Sequence, residues 1–165
     1  MHSSAYKWIE DSYNTWVEDK KDLNILEIGS LDINGSVRPI FAERNSMYLG
    51  IDPQIGPGVD FVTDASTFST GPLFNVIVCA EVFEHTPVWR DIVDRSYENL
   101  LEGGIFIATM AGEGRAPHSA IDENPIRPWE HYENINRKEL RKALKNFSKC
   151  KVSVSGTDTR CWAIK

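Results

Sequence analysis

No stretch of this 165-residue chain stays apolar long enough to cross a bilayer. Its first residues, Met1-His2-Ser3-Ser4, show no basic segment followed by an apolar core, so no secretion signal is expected. Cysteine is scarce: Cys79, Cys150 and Cys161 are widely spaced, and no Cys-x-x-Cys pair occurs. That usage fits a reducing cytoplasm, the expected compartment. Cys79 lies inside an apolar run and reads as a small core residue. Repeats, linkers and low-complexity segments are missing. So is a full Gly-x-Gly-x-x-Gly, which counts against a nicotinamide dehydrogenase. Positive charge is in deficit. The net charge of -6 argues against a nucleic-acid partner.

The content that remains, 41% apolar and 25% charged, is that of a soluble globular protein. The length fits one domain over residues 1–165, large enough to bury a core. The charge is uneven, with seven Lys or Arg and one Glu between Arg137 and Lys151. This is either a solvated helix face or a docking patch for a phosphorylated or acidic substrate.

Strand and helix signals alternate along the chain. Tyr6, Ile9, Tyr13, Trp16 and Val17 recur at helical spacing, predicting a helix over residues 1–20. Strands are predicted at Asn24–Ile28, Met47–Ile51, Val59–Val62, Phe74–Ala80 and Ile105–Thr109, with a short helix at Val37–Phe41. Phe74–Ala80 is nearly continuous apolar, as a strand covered on both faces should be. Thr86-Pro87 predicts a helix start and Gly103-Gly104 its stop. A loop rich in Gly, Pro and His spans 110–135. Asn136 and Glu139 predict the cap of a last helix. Lys151–Ser155 and Arg160–Ile164 read as strands joined by Gly156-Thr157-Asp158, a link too short for a crossover helix, so they pair antiparallel. The expected fold is α/β: a doubly wound, seven-stranded, mostly parallel sheet with an antiparallel C-terminal hairpin and helices on both faces.

Two runs carry the functional signal. Asn24-Ile25-Leu26-Glu27-Ile28-Gly29-Ser30 ends in an acid and a glycine, and Tyr48-Leu49-Gly50-Ile51-Asp52 ends in an acid 23 residues beyond Gly29. Strand ends of this kind form the crevice where a nucleoside lies in an open α/β sheet. Glycine permits close backbone approach. A carboxylate can accept from both ribose hydroxyls.

In this order the motifs resemble those of class I S-adenosylmethionine-dependent methyltransferases of the small, single-domain kind. Leu26-Glu27-Ile28-Gly29-Ser30, Tyr48-Leu49-Gly50-Ile51-Asp52, Val62-Thr63-Asp64-Ala65, Val78-Cys79-Ala80-Glu81-Val82-Phe83-Glu84-His85 and Leu101-Glu102-Gly103-Gly104-Ile105-Phe106-Ile107 match five successive family motifs. One departure is clear: the family tends to place further glycines where this chain has Leu31 and Ile33, and the next glycine is Gly35.

The resemblance implies S-adenosyl-L-methionine as cofactor, a cytoplasmic transferase, and a set of contacts. Gly29 and Ser30 would lie against the cofactor, and Glu27 near its methionine amine. Asp52 would hold the ribose hydroxyls and Asp64, with the Ala65 backbone beside it, the adenine; Pro53 and Glu81 complete the cofactor-binding set. Asp32 and Asn34 either touch the amino-acid part or simply form the turn. Ile51, Pro53 and Phe83 either cover the adenine and ribose or belong to the core. Glu81, Glu84 and His85, spaced i, i+3, i+4, would share one side of a helical turn. There they either bind a divalent metal, as in metal-dependent O-methyltransferases with a similar Glu-x-x-Glu-His, or tie the turn to backbone.

The loop over 110–135 holds His118, Arg127, Trp129, His131 and Tyr132 and is expected to cover the acceptor. His85, His118 and His131 are candidate bases for an acceptor hydroxyl. A small-molecule acceptor methylated on oxygen or nitrogen is the expectation, with no membrane and no nucleic acid involved. A cofactor-binding protein without transfer activity is the rival.

Overall fold

The computed structural model describes residues 3–122 and 124–165. The predicted N-terminal helix is α1, Ser3–Val17, and residues 1 and 2 of that prediction lie outside the described residues. The strands are β1 (Leu23–Ile28), β2 (Asn45–Asp52), β3 (Phe61–Val62), β4 (Phe74–Ala80), β5 (Leu100–Ala111), β6 (Lys149–Ser155) and β7 (Asp158–Ile164). They form one sheet in the order β3-β2-β1-β4-β5-β7-β6. Strands β1 to β5 pair in parallel. Strand β7 runs antiparallel to both β5 and β6. Gly156, with φ 59°, opens the hairpin turn between β6 and β7, a position where a side chain would be strained.

Each strand feeds alternate side chains to opposite layers. On one face Ile25, Val76, Val78, Ile105 and Ile107 meet Ile9, Tyr13 and Val17 of α1 and Phe41 of a 3-10 turn, Arg38–Phe41. Tyr13 and Phe41 pack edge to face, 4.8 Å between centroids. On the other face Leu26, Ile28, Ile77, Phe106, Ala108 and Met110 meet α2 (Trp89–Asn99) and α3 (Arg137–Ala143). Among the described residues no helix is long and apolar enough to cross a membrane.

Several boundaries differ from the sequence reading. Helix α2 starts at Trp89, not at Thr86-Pro87, because residues Phe83–His85 form a separate 3-10 turn and Thr86 is extended. It ends at Asn99, before Gly103-Gly104. Leu100 already pairs with Phe74, and the glycines sit in an irregular start of β5, Gly103 at φ 75°. Helix α3 is capped as expected: the Asn136 side chain accepts from the amides of Lys138 and Glu139. Glu139, however, reaches back to the Asn136 side-chain amide (2.9 Å), not to its backbone.

Chain direction reverses at the centre of the sheet. From β1 the chain moves outward to β2 and β3, then returns to β4 beside β1 and continues the other way. Ligand crevices in open α/β sheets form at such a switch point.

Candidate functional site

A cavity of about 330 Å³ opens at the carboxyl ends of β1, β2 and β4. Its size falls within the range of small-molecule sites. Glu27, Gly29, Ser30, Asp52, Pro53, Asp64, Ala65 and Glu81 all line it, as do His85 and His118.

Gly29 turns at φ 74°, and a Cβ there would lie 2.2 Å from Val82 Cγ2. The glycine therefore admits both the left-handed turn and the close approach of the segment after β4. Beyond it, the Asp32 amide donates to the Pro57 carbonyl at 2.8 Å, and a Cβ on Gly58 would lie 2.4 Å from the Ser30 carbonyl. The stretch around Gly56–Gly58 thus braces the loop that carries Leu31 and Ile33. Asp32 is exposed and accepts from the Gly35 amide at 2.8 Å, making the turn, and it does not line the cavity. Ile33 and Asn34 do line it.

Asp52 closes β2 with its carboxylate buried. It accepts from the Gln54 amide at 2.8 Å and the Leu31 amide at 3.4 Å. Burial raises its pKa against the pull of these two bonds. A carboxylate has about four acceptor positions, so it can take further donors from the cavity. Asp64 accepts from the Ser66 amide at 2.8 Å, so its side chain also shapes a turn. Ile51 and Pro53 line the cavity. Phe83 does not: it is fully buried and stacks with Trp89 (5.6 Å) and Phe106 (6.3 Å), which makes it core.

The segment after β4 is strained. Glu81 sits at φ 57°, a region that costs a non-glycine residue energy and clusters at functional sites. Its amide is fixed to the Thr109 carbonyl at 2.8 Å. Glu81 Oε2 lies 3.9 Å from Arg115, whose other side approaches Asp158 at 2.6 Å, and Oε1 is buried without a partner. Glu84 is buried completely. Its Oε1 accepts from the Ala111 amide at 2.9 Å and its carbonyl from the Glu133 amide at 2.9 Å. Burial, reinforced by the Glu81 carboxylate, raises the Glu84 pKa.

His85 faces the cavity with Nδ1 buried and unpartnered. Burial lowers its pKa to about 4, with His118 adding to the effect, so the ring is neutral at pH 7. His85, His118 and Tyr132 pack edge to face, with ring centroids 5.1–5.6 Å apart. The ligand atoms that converge belong to Glu84, His85 and His118, all within 4.8 Å of one another. Glu81 is not one of that group, because the 3-10 turn brings Glu84 toward the His118 loop instead. His131 does not line the cavity and lies 3.6 Å from Glu133.

The loop after β5 carries no helix or strand among its described residues, and residue 123 lies outside them. It is knit internally. Ser119 donates to Glu130 at 2.6 Å, Arg127 donates to Ser119 at 2.6 Å and to Asp122, and the Arg127 amide donates to Glu130 at 2.8 Å. Arg115, His118, Ser119 and Ala120 cover one side of the cavity, whereas Trp129 is 77% exposed. Sequence reasoning missed Arg115, Ser119 and Tyr48. Arg115 and Ser119 lie in no motif; Tyr48 lies in the second motif, but its part depends on Glu27 of the neighbouring strand.

No protein-family model matches the chain, and no curated protein is similar to it in sequence. Solved structures are similar in fold. An S-adenosylmethionine-dependent methyltransferase from Mesorhizobium loti superposes with TM-score 0.67 at 13% identity, over 97% of this chain and 98% of that one. The 1,6-didemethyltoxoflavin-N1-methyltransferase of Burkholderia thailandensis, solved with 1,6-didemethyltoxoflavin and S-adenosylhomocysteine, gives 0.70 at 14%, over 98% and 78%. The N-methyltransferase NodS of Bradyrhizobium japonicum gives 0.63 at 18%, over 98% and 95%. The chain has the class I, Rossmann-like methyltransferase fold.

Proposed function

We propose that this protein binds S-adenosylmethionine in the crevice and catalyses methyl transfer to a small-molecule oxygen or nitrogen. The observation that carries the reading is the cavity at the switch point, with the buried Asp52 carboxylate in its wall. The residues present fit the group. Ser30 Oγ and Glu81 Oε1 are buried polar atoms without partners, and both residues line the cavity. Asp52 would hold the ribose, Asp64 and Ala65 the adenine, and Gly29, Ser30, Glu27 and Glu81 the amino-acid part. The cofactor supplies an activated methyl group when bound. The protein's part is to orient the acceptor, exclude water and take a proton. Neutral His85, which lines the cavity, is the group best placed to take it, and His118 stands beside it. His131 has no such position. The small-molecule acceptor finds support in the fold neighbours that act on one, such as the toxoflavin N1-methyltransferase, and in the acidic net charge.

The test is calorimetric titration with S-adenosylmethionine and S-adenosylhomocysteine. The wild type is expected to bind both. Asp52→Ala should weaken binding by about ten- to a hundredfold, the loss of charge-assisted hydrogen bonds. No binding by a folded wild type overturns the reading, whereas binding without turnover across an acceptor library favours a binding protein that lacks transfer activity.

A second reading has its own observation. Glu84, His85 and His118 offer one carboxylate and two imidazole ligands within 4.8 Å of one another, a donor set suited to a divalent cation. A metal-dependent O-methyltransferase would then bind its acceptor oxygen there. Turnover abolished by chelation and restored by a divalent cation would favour this reading, and chelation without effect would reject it.

A further inference from the structure

The wall of the crevice contains a carboxylate whose neighbouring cation is tied elsewhere. Glu27 is 5% exposed, lines the cavity, and accepts a hydrogen bond from the Tyr48 hydroxyl at 2.7 Å. The Arg38 guanidinium lies 4.4 Å from the centre of the Tyr48 ring. It pairs with Asp60 and donates to the Gly58 carbonyl at 3.1 Å. Asp60 in turn accepts from the Gly50 amide at 2.7 Å. Arg38 therefore braces the tyrosine, and its ion-pair partner is Asp60, not Glu27.

The charged groups that act on Glu27 are Arg38 from the 3-10 turn, Asp32 from the loop after β1 and Asp60 from the segment after β2. Two of the three are acids. Its register partners on β2 and β4 are Gly50 and Val78, which carry no charge. Burial accordingly raises the Glu27 pKa to about 7, against the opposing effects of Tyr48 and Arg38.

We propose that filling the crevice with a ligand that brings an ammonium group beside Glu27 drives the proton off that residue, and that Tyr48, braced by Arg38, is the positioning residue that sets how readily it leaves. The inference rests on the cofactor reading above and adds a regulation to that site. A cation beside a buried carboxyl favours its ionised form. Binding and ionisation are then linked, and the proton passes to the buffer as the carboxyl O–H bond breaks. Affinity therefore falls as pH drops below the value at which the empty site loses its proton. The Tyr48 hydroxyl favours the carboxylate by donating to it, so removing that hydroxyl moves the transition to higher pH.

The experiment is titration with S-adenosylhomocysteine, whose ammonium stays charged throughout, at pH 6, 7 and 8 in buffers of differing ionisation enthalpy. Expected for the wild type are release of close to one proton per ligand at pH 6 and binding about tenfold weaker at pH 6 than at pH 8. Glu27→Gln should abolish both the proton release and the pH slope. Tyr48→Phe should shift the slope to higher pH, and adenosine, which carries no ammonium, should release no proton. Binding of S-adenosylhomocysteine with no proton release and no pH slope overturns the inference and leaves the cofactor reading standing. Failure to bind at any pH overturns both. A slope that survives in Glu27→Gln assigns the proton to another group, such as buried Glu84, and also overturns it. Should Glu27→Gln not fold, Tyr48→Phe decides, and an unmoved slope rejects the inference.

Discussion

Arg115 and Asp158 approach to 2.6 Å, and this pair fastens the loop over the crevice to the first residue of β7. Both side chains are largely buried, so the interaction is stronger than an exposed ion pair. Ser4 of α1 donates to the other Asp158 oxygen at 3.4 Å, which adds the N-terminal helix to the same junction. Asp158→Asn should destabilise the fold by roughly 1–3 kcal/mol. Its particular sign is faster amide exchange over residues 112–120 at unchanged exchange in β4. Uniform destabilisation without that local effect would deny the fastening role.

Gly29 is predicted to resist replacement for two separable reasons. Its φ of 74° strains any side chain, and a Cβ would overlap Val82 Cγ2. Gly29→Ala should lower stability by about 1–3 kcal/mol and impair nucleoside binding. Adding Val82→Ala should relieve the overlap but not the backbone strain, so recovery measured by thermal unfolding is expected to be partial. Full recovery would mean that the turn tolerates a side chain.

Glu27 and His85 make stability depend on pH with opposite signs. The folded state raises the Glu27 pKa from 4.5 to about 7, so its contribution is complete below pH 4.5 and is lost as pH rises through 7. The folded state lowers the His85 pKa from 6.5 to about 4, so its contribution is present above pH 6.5 and is lost as pH falls toward 4. The two oppose each other in mildly acidic solution. Glu27→Gln isolates the first: the wild type should lose ground to the variant between pH 5 and 8, by up to about 3 kcal/mol. Denaturant unfolding across that range measures the difference, and a constant gap would refute the assignment.

The three histidines should separate in turnover assays with an acceptor that supports the reaction. His85→Ala is expected to cut kcat by about a hundredfold with cofactor affinity nearly unchanged, the range for removing a general base. His131→Ala, outside the cavity, should change kcat less than about twofold, because its side chain does not line the site. Equal losses in both would point to a purely structural part for the pair.

Much of the fold was legible because strong local signals agree with the global arrangement. Phe74–Ala80 matched its strand residue for residue, since an unbroken apolar run suits burial on both faces. The short link at Gly156 dictated the antiparallel hairpin. Less legible was Val59–Val62, which shrank to two exposed residues because an edge strand needs little burial. Thr86-Pro87 misled because the preceding 3-10 turn takes the first turn's place.

In the site, Gly29 and Asp52 lie at the ends of β1 and β2, as strand-end reasoning put them, since strand ends are local features. The burial of Glu84, the nearness of His118 to His85, and the brace of Tyr48 by Arg38 join residues far apart in sequence. No spacing within one segment encodes them.

Strand β7 lies between β5 and β6, and this has a bearing on how the chain folds as it is made. Until β7 is synthesised, β5 is an open edge, with a row of buried residues from Ile105 to Ala111 and no partner on that side. Such an edge invites pairing with another chain. A nascent protein halted before β7 should therefore depend on chaperones. Once the hairpin forms, β7 covers β5 and the edge passes to the shorter β6.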